Sequence, residues 1–224
     1  IVTSSVIILH LYGSHSITLS SLLNEFLLVV IGITVAFLVN FYMPNMEREL
    51  EKYRKEIEKL YSIILRELSV YLLTGKSAWS GKEIIDAENL VRKAVYYAAL
   101  EEENHKIVDD ASYYHYFKLR EKQLSILKRA LPLAAKMDLS EDEVSHELGE
   151  YIGFLSDNVH HHNTANEYIE MLEKLVKEVK KKEIPTSFDD FEKRAALFQL
   201  IKELKDYLII KSTVKPLPNS KEKK

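Results

Sequence analysis

The sequence predicts an all-α protein in two parts: a truncated transmembrane helix pair, then a cytoplasmic antiparallel helical bundle of about six helices. Three observations predict it. Between Ile1 and Met46 the one formally charged side chain is Glu25, and every other charge of the 224-residue chain lies from Glu47 onward. From Met46 apolar residues recur at three- and four-residue steps, and no stretch alternates as a strand would. A basic cluster, Arg48, Lys52, Arg54 and Lys55, follows directly on the apolar part.

The apolar part comes first. The chain opens on Ile1, Val2, Val6, Ile7, Ile8, Leu9 and Leu11, without the positively charged stretch that begins a signal peptide. Residues 1–12 are therefore expected to be a span cut short. Gly13 to Ser21 reads as a polar outer loop with no Lys or Arg. Leu22 to Met43 (LLNEFLLVVIGITVAFLVNFYM) reads as a span of 22 residues. At about 1.5 Å per residue it would rise roughly 33 Å, enough for a hydrocarbon core of about 30 Å. Tyr42 stands where an interfacial aromatic would. The basic cluster beyond Pro44 places the loop outside and the rest of the chain in the cytoplasm. Glu25 falls in the first helical turn, where the N-terminal dipole favours an acid, which makes a proton-coupling role the less natural reading. Pro44 removes a backbone donor and crowds the carbonyl of Asn40, predicting a joint at the membrane surface.

The bundle is expected over 46–212. In its first helix Leu50, Tyr53, Ile57, Leu60 and Ile64 form the apolar face. Gly75 to Gly81 is the first break, and a second helix runs from about Lys82 to Glu103. After a weaker break at Asn104 to Asp110, a long helix extends from about Ala111 to Met137. Its seam is Tyr113, Phe117, Arg120, Leu124, Leu127, Leu131 and Ala134, with a kink at Pro132. Two capping boxes follow, Ser140 with Glu143 and Thr164 with Glu167. They open helices whose faces are Val144, Leu148, Tyr151, Leu155, Val159 and then Tyr168, Leu172, Leu175, Val179. Pro185 precedes the last helix, about Phe188 to Lys211, with the face Phe191, Ala195, Phe198, Ile201, Leu204 and Leu208. The tail 213–224 is rich in Pro and Lys and reads as disordered.

Composition narrows the chemistry. The chain has 31 Lys and Arg against 34 Asp and Glu, with no basic stripe, so nucleic acid is not an expected partner. It has no Cys, which removes disulfides, Cys-zinc sites and thiol nucleophiles together. No Gly-rich phosphate loop, G-x-S-x-G or H-E-x-x-H appears, so neither an enzyme nor a cofactor is expected. His160, His161 and His162 are consecutive and cannot all face one ion from a regular helix. A solvated turn is the reading, with no metal site.

Two arginines carry the candidate ligand chemistry. Arg120 interrupts an apolar seam, and Arg194 extends the face of Phe198, Ile201, Leu204 and Leu208 by one turn. A guanidinium on a core-facing stripe must find an acceptor. It can be a carboxylate on another helix, or the carboxylate of a ligand held bidentately, with Tyr113, Tyr116 and Phe117 as an aromatic wall.

The stretch Val35 to Pro44 (VAFLVNFYMP) resembles the last-span signature of the aromatic acid exporter family, in its Gram-positive branch. Tyr113 to Leu127 (YYHYFKLREKQLSIL), Asn163-Thr164 and Asp189 to Ala195 (DDFEKRA) resemble that branch's C-terminal domain, in order and spacing. Where the pattern places a basic residue before the acidic pair, this chain has Phe188. The resemblance implies an efflux protein of the inner membrane, multi-pass, whose partners are the lipid bilayer and an aromatic or other organic acid. The bundle is then expected to regulate or assemble the membrane part, with a further copy of the chain as a partner. The competing expectation is a membrane-anchored sensor or scaffold without transport.

Overall fold

The computed structural model describes residues 19–42, 46–105, 112–137, 143–160, 165–214 and 217. Every regular element among them is a helix. The chain divides into two compact units, 1–46 and 47–224.

The first unit holds α1 (Leu19–Tyr42), 24 residues long. It begins three residues ahead of the expected Leu22, because serine does not stop a helix in its first turn, where backbone N–H groups are still free to be met. Leu23, Phe26, Leu27, Leu28, Ile31 and Ile33 each expose more than half of their surface. The Thr34 hydroxyl is satisfied within the helix, donating to the Val30 carbonyl at 2.7 Å. Among the described residues no helix is long and apolar enough to cross a membrane. The longest run of α1 with described side chains, 26–38, would rise about 20 Å. Residues 1–18, the Glu25 and Tyr42 side chains and the Pro44 joint lie outside the described residues.

The second unit contains α2 (Met46–Thr74), α3 (Lys82–His105), α4 (Tyr113–Ala134), α5 (Glu143–Asp157), α6 (Ala165–Lys181) and α7 (Phe188–Ser212). The break after α2 falls where the glycines place it. Gly75 adopts φ 67° and Gly81 φ 73°, a region open to glycine at little cost, and the Gly75 N–H closes the helix on the Tyr71 carbonyl at 2.8 Å. Ser112 caps α4 by accepting from the His115 N–H, and Ser187 caps α7 by accepting from the Asp190 N–H. The expected capping residues Ser140 and Thr164 lie outside the described residues. The helix expected to run to Met137 with a kink at Pro132 instead stops at Ala134, with Pro132 in its last turn.

In the core, α4 packs against both α3 and α7, α7 also packs against α6, and α6 against α5. The faces expected of α5 and α6 are all buried. On α7 the expected face holds at Ile201, Leu204 and Leu208, which are buried, and is misplaced in the first half of the helix. Phe191 is 59% exposed and Ala195 is exposed, while Ala196, Leu197 and Leu200 are buried. This helix carries apolar residues on more than one side, so its period alone does not choose the inner one. The tail beyond Thr213 lies almost wholly outside the described residues.

Helix α2 approaches α5 closely at Gly149. The Ser69 hydroxyl donates to the Gly149 carbonyl at 2.7 Å. A Cβ at that position would stand 2.9 Å from Leu73 Cγ and 3.2 Å from Leu72 Cβ. Gly149→Val is therefore expected to push the two helices apart and to cost about 1–3 kcal/mol. Thermal melting of the purified chain followed by circular dichroism reads this as a lower Tm; an unchanged Tm would show that the approach is not tight.

Candidate functional site

The second unit buries a network of charges between two ladders of side chains. On α2, Glu51, Arg54, Glu58 and Tyr61 recur at one-turn spacing, which lines them up along one face. On α4, Tyr113, Tyr116, Arg120 and Gln123 do the same.

Arg120 is the centre, with 1% of its surface exposed. Its Nε donates to Tyr116 Oη at 2.8 Å and its Nη1 to Gln123 Oε1 at 3.0 Å. Its Nη2 donates to Glu58 Oε1 at 3.2 Å and to the Val159 carbonyl at 2.9 Å. The Arg120 backbone carbonyl accepts from Tyr61 Oη at 2.5 Å. The guanidinium also lies 5.0 Å from the centre of the Tyr116 ring and 5.8 Å from that of Tyr61.

Glu58 answers from α2. It accepts from Tyr116 Oη at 2.8 Å and from Arg54 Nη1 at 3.0 and 2.9 Å. Arg54 grips Glu51 with its Nε and Nη2, at 2.8 and 2.6 Å, and Tyr113 Oη donates to Glu51 at 3.2 Å. Gln123 carries the network on to α7 by donating to the Tyr207 carbonyl at 3.1 Å. Burial works against the Arg120 charge, but Tyr116, Tyr207 and Glu58 hold it firmly protonated. Burial likewise raises Tyr61, Tyr116 and Tyr207 above the usual phenol range.

Lys211, at the end of α7, is 2% exposed and donates to the Asn158 carbonyl. Burial pushes its pKa down to about 8, helped by the Arg120 charge and opposed by Glu58. The neighbouring Tyr207 Oη is buried with no hydrogen-bond partner among the described residues.

The structure brings together four of the five candidate residues. Tyr113, Tyr116, Phe117 and Arg120 cluster on α4, with Phe117 stacked on Tyr113 at 6.0 Å and edge-on to Tyr116 at 5.3 Å. The carboxylate that faces Arg120 there is Glu58. Arg194 stands apart. It lies 13 residues before Tyr207 on α7, about 20 Å along the helix, half-exposed in the wall of a separate cavity. The sequence reading missed Arg54, Glu58, Gln123 and Lys211. The one signal available was the one-turn ladder on α2, which as charged letters resembles an ordinary wet face. His160 is exposed, with Nδ1 4.0 Å from Glu58, while His161 and His162 lie outside the described residues. Among the described residues no cluster of His, Asp and Glu is arranged to hold a metal.

Known proteins share this architecture. Residues 47–212 match the family model described as "Putative aromatic acid exporter C-terminal domain", and residues 1–43 match "Aromatic acid exporter family member 1". The chain is 42% identical over 221 residues to the uncharacterized protein YqjA of Bacillus subtilis (strain 168), covering 99% of this chain and 68% of that protein. A crystal structure of a "putative membrane protein from Clostridium difficile 630" superimposes with a TM-score of 0.62 at 19% identity, over 74% of this chain and 98% of the other. At that identity the likeness is one of fold alone.

Two predictions follow from the network's burial. Arg120→Leu takes from Glu58 one of its two guanidinium partners and leaves Gln123 Oε1 and the Val159 carbonyl unmet, and is expected to cost about 3–5 kcal/mol, whereas adding Glu58→Leu should recover part of the loss. Chemical denaturation at pH 7 measures both, and a single mutant as stable as the parent would overturn the buried pair. Lys211 sets a pH dependence. Its folded pKa of about 8 lies below the unfolded value of about 10.4, so the unfolded state binds more protons between them. The contribution of Lys211 should therefore rise by about 2 kcal/mol from pH 8 to about 10. The buried tyrosines work the other way near and above pH 10, because they ionise more readily once unfolded. The stability difference between the parent and Lys211→Met should therefore change by about 2 kcal/mol over that window; a difference flat from pH 8 to 10 would contradict it.

Proposed function

The chain belongs to the aromatic acid exporter family, a family of transporters and not of enzymes, and on that footing we propose that it is the C-terminal portion of an inner-membrane efflux protein for aromatic or other organic acids. The bundle is its regulatory or assembly domain and faces the cytoplasm. The observation that carries this reading is the order of the two family matches, membrane member over 1–43 and C-terminal domain over 47–212.

The physical properties of the chain support it. Helix α1 has 24 residues, a rise of about 36 Å, and its described apolar side chains are exposed in a way that suits lipid rather than water. Arg48, Lys52, Arg54 and Lys55 follow shortly after it, and the positive-inside rule counts Lys and Arg whether or not acids accompany them. A regulatory role draws on α2, the helix that follows α1 in sequence. Glu58 and Tyr61 lock it to α4, so a change in the position of α2 is felt at Arg120.

Both halves of the reading can be tested. The chain has no Cys, so a single Ser220→Cys reports orientation cleanly. It is expected to resist a membrane-impermeant maleimide in intact cells and to react once they are permeabilised; ready labelling from outside would overturn the orientation. For function, cells preloaded with labelled 4-hydroxybenzoate should lose it more slowly when the gene is deleted. Removing 47–212 should change the efflux rate or the oligomeric state while the protein remains in the membrane. Efflux and assembly identical to the parent would reject the regulatory role.

A further inference from the structure

The outer ridge of α5 is not wholly polar. Glu150, Phe154 and Asp157 follow one another at one-turn spacing and are exposed, and Phe154 shows 58% of its surface. Cavities of about 400 and 410 Å³ flank it. Val70 and Leu73 of α2 line the first with it, and Met171 of α6 lines the second. All three are exposed, so four apolar side chains form one patch across three helices. Together they show roughly 300 Å² of apolar surface, the size at which a patch on a monomer is often functional.

The charges around the patch are symmetric. On α6, Glu167 stands four residues before Met171 and Lys174 three after it, exposed on the same face. On α5, Glu150 stands four residues before Phe154. Asp157 stands three after it, with the Arg66 guanidinium of α2 donating to it. Each apolar centre thus has an acid about 6 Å along the helix on one side and a cation about 4.5 Å along on the other.

We propose that this face is an interface between two copies of the chain, related by a two-fold axis that crosses α5 and α6 at Phe154 and Met171. The axis sets each of these helices antiparallel to its own copy. Phe154 then packs on Phe154 of the second copy, Lys174 meets Glu167, and Arg66 meets Glu150, each charge pair occurring twice. A lipid surface fits less well, because Glu147 and Glu178 also stand at the rim and anionic headgroups call for a basic one. A standard interface takes about 800 Å² from each partner, so an apolar centre of this size within a charged rim holds two copies weakly in dilute solution. Confinement in a membrane raises their effective concentration. The interface supplies the partner for the assembly role proposed above and in that rests on it, but the contact itself needs no transport.

Crosslinking and sedimentation test it. The chain has no Cys, so Phe154→Cys in native membranes under mild oxidation reports the axis. A disulfide-linked dimer is expected from it, and none from Ile184→Cys, which is 87% exposed but lies between α6 and α7. Sedimentation of the full chain in density-matched detergent should show a monomer–dimer equilibrium. Phe154→Asp should raise its dissociation constant at least about tenfold with unchanged circular dichroism. Lys174→Glu should weaken the dimer less, and adding Glu167→Lys should restore it. No dimer from Phe154→Cys, or a crosslink to another protein in its place, would overturn the interface. So would a dimer indifferent to Phe154→Asp, or a charge exchange that rescues nothing. A monomer that still exports would sink the interface alone, and a dimer without efflux would sink the exporter reading alone.

Discussion

A guanidinium withdrawn from water has to be given acceptors by the protein, and much of the second unit is arranged around that demand at Arg120. Removing an ion from water costs several kcal/mol even after the surroundings relax, and the cost is offset only by good partners on every side. The partners come from distant parts of the chain. Glu58 is on α2, Tyr116 and Gln123 are on α4 itself, and the Val159 carbonyl lies just beyond α5. Gln123 then ties the same point to α7 through Tyr207. If any of these helices slid by one residue, a donor would face a methyl group. Coulomb attraction in such a network does little more than offset desolvation, so what it contributes most is register.

The apolar core surrounds this network without dictating it. Leu, Ile and Val faces tolerate sliding and repacking, since one apolar side chain can replace another at modest cost. The charges do not tolerate it. Glu51 and Glu58 against Arg54 and Arg120 make a set with equal numbers of each sign. Lys211 then stands as an additional buried cation next to a balanced set, which is why burial and the Arg120 charge together depress its pKa.

What the sequence made legible follows from contrast. Helices α5 and α6 set apolar residues against a charged side, so the period names their inner faces correctly. Gly75 and Gly81 mark the ends of α2 and the start of α3 because no other residue takes positive φ so readily. Arg120 could be found because it broke an apolar seam. Glu58 and Arg54 could not, because they sit among Glu and Lys along α2 and nothing in the letters separates a buried carboxylate from a wet one. On α7 the contrast is missing on every side, and the inner face was placed wrongly from Phe191 to Ala195. The division of the chain was legible from the 46-residue stretch with a single charge, a feature of composition rather than of any contact.

The two arginines singled out from the sequence show how far a residue's letter underdetermines its role. Both sit on helices rich in Leu and Phe, and both needed an acceptor. Arg120 is enclosed, with Glu58, Tyr116, Gln123 and the Val159 carbonyl already on its guanidinium. Arg194 is half-exposed and donates to the Glu183 carbonyl, so it is met without being enclosed. A bundle can therefore hold one guanidinium as a fixed part of its interior and leave another half-exposed in the wall of a separate cavity.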